Sequence, residues 1–90
     1  MAIHATLKQL QLFEAAARLG GVTRAAEEAN LTQPAVSIQL KRLEETIGLG
    51  LFEQVGRKVA LTEAGEVVLQ HARAILEEFE ALAAGVHELK

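Results

Sequence analysis

Apolar positions recur at helical spacing along most of the chain and change to short strand-like runs in one place, around residues 51–61. The first periodic stretch follows Thr6. With Gln9 three residues later, Thr6 completes a capping-box pattern ahead of Leu10, Phe13 and Ala17. This predicts a helix over residues 7–19. Leu12 and Leu19 fall off its main stripe, so burial on more than one side is expected. Gly20 and Gly21 supply the turn conformations at which helices stop.

A short helix over RAAEEA is expected next, with Thr23 as its cap, alanines 25, 26 and 29 inward and Glu27 and Glu28 in water. Asn30 tolerates left-handed backbone and ends it. Thr32 caps the following helix, with Leu31 before it and Val36 behind it placed as a hydrophobic staple. Val36, Leu40, Leu43 and Ile47 then form one inward stripe at spacings of four, three and four. The opposite side carries Pro34, Ser37, Ile38 and Lys41, an isoleucine exposed between polar and basic neighbours.

LFEQV and KVALT flank Gly56-Arg57, the pattern of a two-residue hairpin with glycine first in a type II′ turn. Thr62 caps a last helix of about 27 residues running to the chain end. Along it Val68, Ala72, Ile75, Phe79, Leu82 and Val86 alternate spacings of four and three, a heptad seam. So long a seam exceeds what a small domain covers, and a second copy of the chain is the simplest partner for it.

Ninety residues, half of them apolar, suffice for one small core. The absence of cysteine excludes disulfides and thiolate metal sites and, with no export signal or membrane-length apolar run, makes a cytoplasmic protein the default expectation. Three phenylalanines without tryptophan or tyrosine disfavour single-strand binding, which uses aromatic platforms. The formal net charge of −3 argues at first sight against nucleic acid. It is segregated, however: residues 63–90 hold six glutamates against Arg73 and Lys90, which leaves the first 62 residues at +1. Screening over about 10 Å at ~0.1 M salt lets a locally basic surface act independently of an acidic tail.

Catalytic constellations are missing from the pattern. His4, His71 and His87 are scattered, Glu44-Glu45 and Glu77-Glu78 point apart on their helices, and no nucleophile-base set or phosphate loop occurs. No enzyme, cofactor or metal is expected.

Helix, short helix, tight turn, longer helix, hairpin and long helix is the order of a winged helix-turn-helix, a mainly α fold with a two-stranded β-ribbon wing and a long C-terminal linker helix. Within residues 7–72, TRAAEEANLTQPAVS, QLKRLEETIGLGLFE and LTEAG occur in the order and spacing of the N-terminal DNA-binding domain of LysR-type transcriptional regulators, which the chain closely resembles. In detail it is most similar to the regulators of carbon-fixation operons. The resemblance implies a DNA-binding domain over residues 1–62, a dimerising linker helix over 63–90, tetramers in the full-length protein, and a larger effector-binding domain that these 90 residues do not include. The implied partners are double-stranded operator DNA and a second copy of the chain, without a membrane.

The resemblance carries DNA contact onto Thr32, Gln33, Pro34, Ser37 and Gln39, and onto Arg57 at the hairpin tip; Ala35 and Lys58 complete that surface. Physical chemistry agrees with several. Gln33 in the first helical turn suits bidentate bonding to adenine N6 and N7, and Thr32 and Ser37 suit phosphate oxygens near the positive helix end. Arg57 suits a narrow minor groove. Arg24, Lys41 and Arg42 read equally as phosphate contacts or as solvated helix charges, Arg42 also as a partner for a nearby glutamate. Two positions depart from the family pattern: Ile38, where many relatives carry a basic residue, and Gln54, where an arginine is usual. Fewer cations predict a shallower salt dependence, and Ile38 suits packing against a thymine methyl, with incidental exposure as its plain alternative. The seam reads as a dimer interface over Val68, Ala72, Ile75, Phe79, Leu82 and Val86, or as core against the small domain. A protein-interaction module without DNA binding is the alternative function.

Overall fold

A computed structural model describes residues 4–90, so residues 1–3 of the expected 1–62 domain lie outside the description. Helix α1 spans Leu7–Leu19. Its capping box forms as the sequence predicts: the Thr6 hydroxyl accepts from the Gln9 N–H at 3.0 Å, and the Gln9 side chain accepts from the Thr6 N–H at 3.2 Å. Leu12, Phe13, Ala15 and Ala16 are all buried, so α1 is the central helix, covered on more than one side. Gly20 ends it at φ +84°, a left-handed cap that a Cβ would strain.

Helix α2 spans Val22–Ala29 and packs against α1 through buried Ala25 and Ala26. The expectation that Thr23 caps it is corrected here. Gly21 holds the cap position without a side-chain hydrogen bond, and Thr23 lies one residue inside the helix with its hydroxyl free for another partner. Gly21, at a positive φ of 155°, turns the chain in without a capping oxygen, so the helix starts two residues earlier than expected. Asn30 ends α2 in the left-handed region, at φ 56°.

Helix α3 spans Gln33–Ile47, capped by the Thr32 hydroxyl on the Ala35 N–H at 3.2 Å. Val36, Leu40 and Leu43 are buried, and Ile47 packs partly against the same core. Between α3 and the wing, Glu44 reaches forward so that its carboxylate accepts from the Leu51 N–H at 2.7 Å. Buried Leu51 is thereby fixed in the core.

Strands β1 (Phe52–Val55) and β2 (Lys58–Leu61) pair antiparallel, with Phe52 opposite Leu61 and Val55 opposite Lys58. That register leaves the two-residue Gly56-Arg57 turn. Gly56 has positive φ and Arg57 does not, as a type II′ turn requires. At the wing's base, Phe52 meets Phe13 with ring centroids 5.2 Å apart, tying the ribbon to α1.

Helix α4 spans Glu63–His87, slightly shorter than the expected 27 residues. Thr62 caps it on the Gly65 N–H at 3.0 Å while its own hydroxyl donates to the Gly50 carbonyl at 2.6 Å. A Cβ at Gly65 would collide with the Leu51 carbonyl oxygen, so glycine there permits α4 to start directly against the loop before the wing. Helix α4 then runs along α1 and projects beyond the domain, giving overall extents of 50 × 30 × 18 Å.

Candidate nucleic-acid interface

The inward stripe of α3 fixes what the helix turns outward. With Val36, Leu40 and Leu43 in the core, the 100° step per residue puts Pro34, Ser37, Ile38 and Lys41 on the free side, and all four are exposed. Ile38 is 51% exposed, too open for a core residue. Arg42 is exposed next to this face, and Thr32, Gln33 and half-buried Ala35 surround the helix start. Arg24 on α2 and Arg57 and Lys58 on the wing are exposed as well.

Two glutamines border the face, each tied to a neighbouring helix. The Gln33 amide donates to the Thr23 hydroxyl at 2.9 Å, so α2 steadies the first side chain of α3. On the other flank, the Gln39 carbonyl oxygen accepts from the Gln9 amide of α1 at 3.1 Å. Neither tie was legible in the sequence. Thr23 read as a cap, and Gln9 read only as half of a capping box; nothing in local spacing links residue 9 to residue 39.

Cations divide into two groups. Arg18 bonds Glu14 at 3.1 Å and Glu28 at 2.7 Å, which raises its own pKa and lowers that of Glu28. Among the described residues those are the ion pairs present, so Arg24, Lys41, Arg42, Arg57 and Lys58 keep their charges free of carboxylates. The pairing of Arg42 with a glutamate, one of its two sequence readings, does not form. Uncompensated cations on α2, α3 and the wing are suited to phosphate oxygens.

The α4 seam is not one surface. Ala72 is 1% exposed and so is covered by its own protomer, correcting the expectation that it faces a second copy, whereas half-buried Val68 packs partly against the core and also lines the apolar groove beside the seam. The reason is that α1 runs beside the first part of α4, with β2 packed against it as well, and covers its first turns. Ile75, Phe79, Leu82 and Val86 are exposed. Val67, off the heptad pattern, is exposed too, and with Leu7, Leu10, Ile47, His71 and Ile75 it borders an apolar groove of about 470 Å³. Among the described residues no three His, Asp or Glu side chains gather as a metal site, and no helix is long and apolar enough to cross a membrane.

Three helices, the tight α2–α3 turn, an exposed and unpaired α3 face and a two-stranded ribbon define a winged helix-turn-helix of the DNA-binding kind. The family described as bacterial regulatory helix-turn-helix protein, lysR family, matches residues 7–66, and the chain belongs to it. The chain is 49% identical over 88 residues to a RuBisCO operon transcriptional regulator of Allochromatium vinosum, covering 98% of the chain and 29% of that protein. It is 48% identical over 90 residues to the transcriptional activator CmpR of a Synechocystis strain, covering 97% of the chain and 30% of the relative. It thus spans about three-tenths of the length of these relatives, which are regulators and not enzymes. Among solved structures, the CbnR DNA-binding domain in complex with DNA superposes with a TM-score of 0.84 at 32% identity, covering 93% of this chain and 97% of that one. The BenM DNA-binding domain bound to a catB site gives 0.88 at 28% identity, covering 93% of each chain.

Proposed function

We propose that the chain is the sequence-specific duplex-DNA-binding part of a bacterial transcriptional regulator, acting on the operator of a carbon-fixation operon. The observation that carries this reading is the outward face of α3, where Pro34, Ser37, Ile38 and Lys41 stand exposed between two tethered glutamines. An α-helix fits the major groove of B-DNA, and its first turn meets base edges. Gln33 reaches those edges, and so does Ser37, whose place at the centre of the open face turns it to the bases in preference to the phosphates; Ile38 packs on a thymine methyl, and Thr32, Pro34 and Ala35 bring the helix end against the backbone. Arg24, Gln39, Lys41, Arg42 and Lys58 bind phosphate, and Arg57 on the wing enters the minor groove. The operator class is supported by relatives named for the RuBisCO operon, such as those of Allochromatium vinosum and Acidithiobacillus ferrooxidans.

A second copy completes the unit. The apolar residues that α4 leaves open, Ile75, Phe79, Leu82 and Val86, cover one another across a twofold axis, and the neighbouring groove takes the partner's helix. Two α3 helices then address two half-sites at a spacing set by the paired rods. In a protein of the relatives' length, α4 leads on to an effector-binding domain, and such chains assemble as cytoplasmic tetramers. The test is titration of operator duplex against scrambled duplex at several salt concentrations, with Ser37→Ala and Arg57→Ala beside the parent. Reduced discrimination for the first and a salt slope flatter by about 0.9 per half-site for the second are expected. Equal affinity of the parent for both duplexes defeats the proposal.

A further inference from the structure

We infer that Gln9, a side chain remote from the open face of α3, is a positioning residue for DNA contact: through a one-way hydrogen-bond relay it turns the Gln39 carboxamide so that its NH2 group faces a phosphate oxygen. The inference rests on the duplex-binding function proposed above.

The relay begins at the backbone. The Thr6 N–H can only donate, so the Gln9 atom 3.2 Å from it is the carbonyl oxygen Oε1. The other end of the Gln9 amide, Nε2, is then a donor, and it lies 3.1 Å from Gln39. Gln39 must meet it with its own oxygen, which leaves the Gln39 Nε2 as the end turned away from α1. Gln9 is 5% exposed, and no buried polar side-chain atom among the described residues lacks a partner. The Gln9 end of the relay is therefore shielded from water, and a flipped Gln39 would set two donors against each other across a partly buried contact.

Position decides what the free amine meets. Gln39 is half-buried and sits one 100° step beyond Ile38, at the α1 edge of the open face. A helix lying in the major groove turns its centre to the bases and its edges to the sugar-phosphate walls. A group that can only donate suits the acceptor-only phosphate. Gln33 differs, because its partner is the Thr23 hydroxyl, which rotates to donate or accept and so fixes no polarity.

The test uses the 90-residue chain and a duplex it selects from a randomised pool, beside a scrambled duplex of the same composition. Gln9→Glu keeps the capping box, since a carboxylate accepts from the Thr6 N–H, but it cannot donate to Gln39, whose amide must turn over and present oxygen to the phosphate. We expect Gln9→Glu to weaken binding to both duplexes by about tenfold, the scale of one hydrogen bond to a charged group, and to have little effect when Gln39→Ala is already present. Parental affinity in Gln9→Glu, an equal loss in the Gln39→Ala background, or a loss confined to the selected duplex would each overturn the inference. Gln39→Glu tests the same polarity without altering Gln9: its carboxylate still accepts from Gln9, so its unfolding midpoint stays at or above that of Gln39→Ala while its DNA binding falls below it. A midpoint below that of Gln39→Ala overturns the relay independently. A parent chain that binds neither duplex defeats the functional reading and this inference together, whereas a binding parent matched by Gln9→Glu defeats only the inference.

Discussion

Ala72 and Leu82 lie on the same apolar seam of α4, ten residues apart, and have opposite surroundings. Ala72 is sealed inside its own protomer, and Leu82 is 59% exposed. The alternation of four and three runs unbroken through both, so periodicity cannot separate a stripe that closes the fold from one that awaits a partner. What separates them is the reach of the folded domain, chiefly α1, which ends part-way along α4. The same division runs around α3, where Leu40 is buried and Ile38, two residues earlier, is open.

Changing Ala72 to aspartate breaks the comparison most severely. A charge placed where the protomer has no room or water for it should cost about 3–5 kcal/mol, a large part of the stability of a small domain. Thermal unfolding should show a midpoint lowered by at least about 12 °C; a near-parental midpoint would mean that the first turns of α4 are not held as described. Leu82→Asp should leave the protomer's helix content intact and act only on self-association. Sedimentation should show dimer dissociation rising at least about thirtyfold, the effect of losing a ~2 kcal/mol anchor. A dimer of parental strength would place the interface elsewhere.

Gly65→Ala sharpens the contrast from the covered side. Its methyl group meets the Leu51 carbonyl and the Leu61 side chain, so α4 must shift outward at a cost of about 1–3 kcal/mol, read as a lower denaturant midpoint. The smallest effect is expected from Ile38→Arg. It leaves stability within about 0.5 kcal/mol because the residue is exposed, and adds about 0.9 per half-site to the salt slope of binding if the new cation reaches a phosphate. An unchanged slope would put residue 38 away from the duplex.

Local chemistry made much of this molecule legible. The Thr6–Gln9 box, the Thr32 and Thr62 caps, the left-handed Asn30 and the Gly56-Arg57 turn all depend on residues within four positions of each other, and each forms as the spacing predicts. The outer face of α3 follows from its inner stripe by helical geometry alone. Thr23 shows where such reasoning stops. A threonine ahead of an alanine-rich helix reads as a cap, yet the backbone enters α2 through Gly21 and releases the hydroxyl to Gln33.

By itself the sequence determined the element order, the helix boundaries to within a residue or two and the identity of the exposed side chains on α3, because these depend on short-range torsional preference and on periodicity. Only the tertiary structure decided that the seam of α4 divides beyond Ala72, that Glu44 pins Leu51, and that Gln9 holds Gln39, since each joins surfaces whose meeting depends on how far one helix extends past another. Hydrogen bonds and burial act over a few ångströms in space. Residues 9 and 39 come within that range only after the chain has packed.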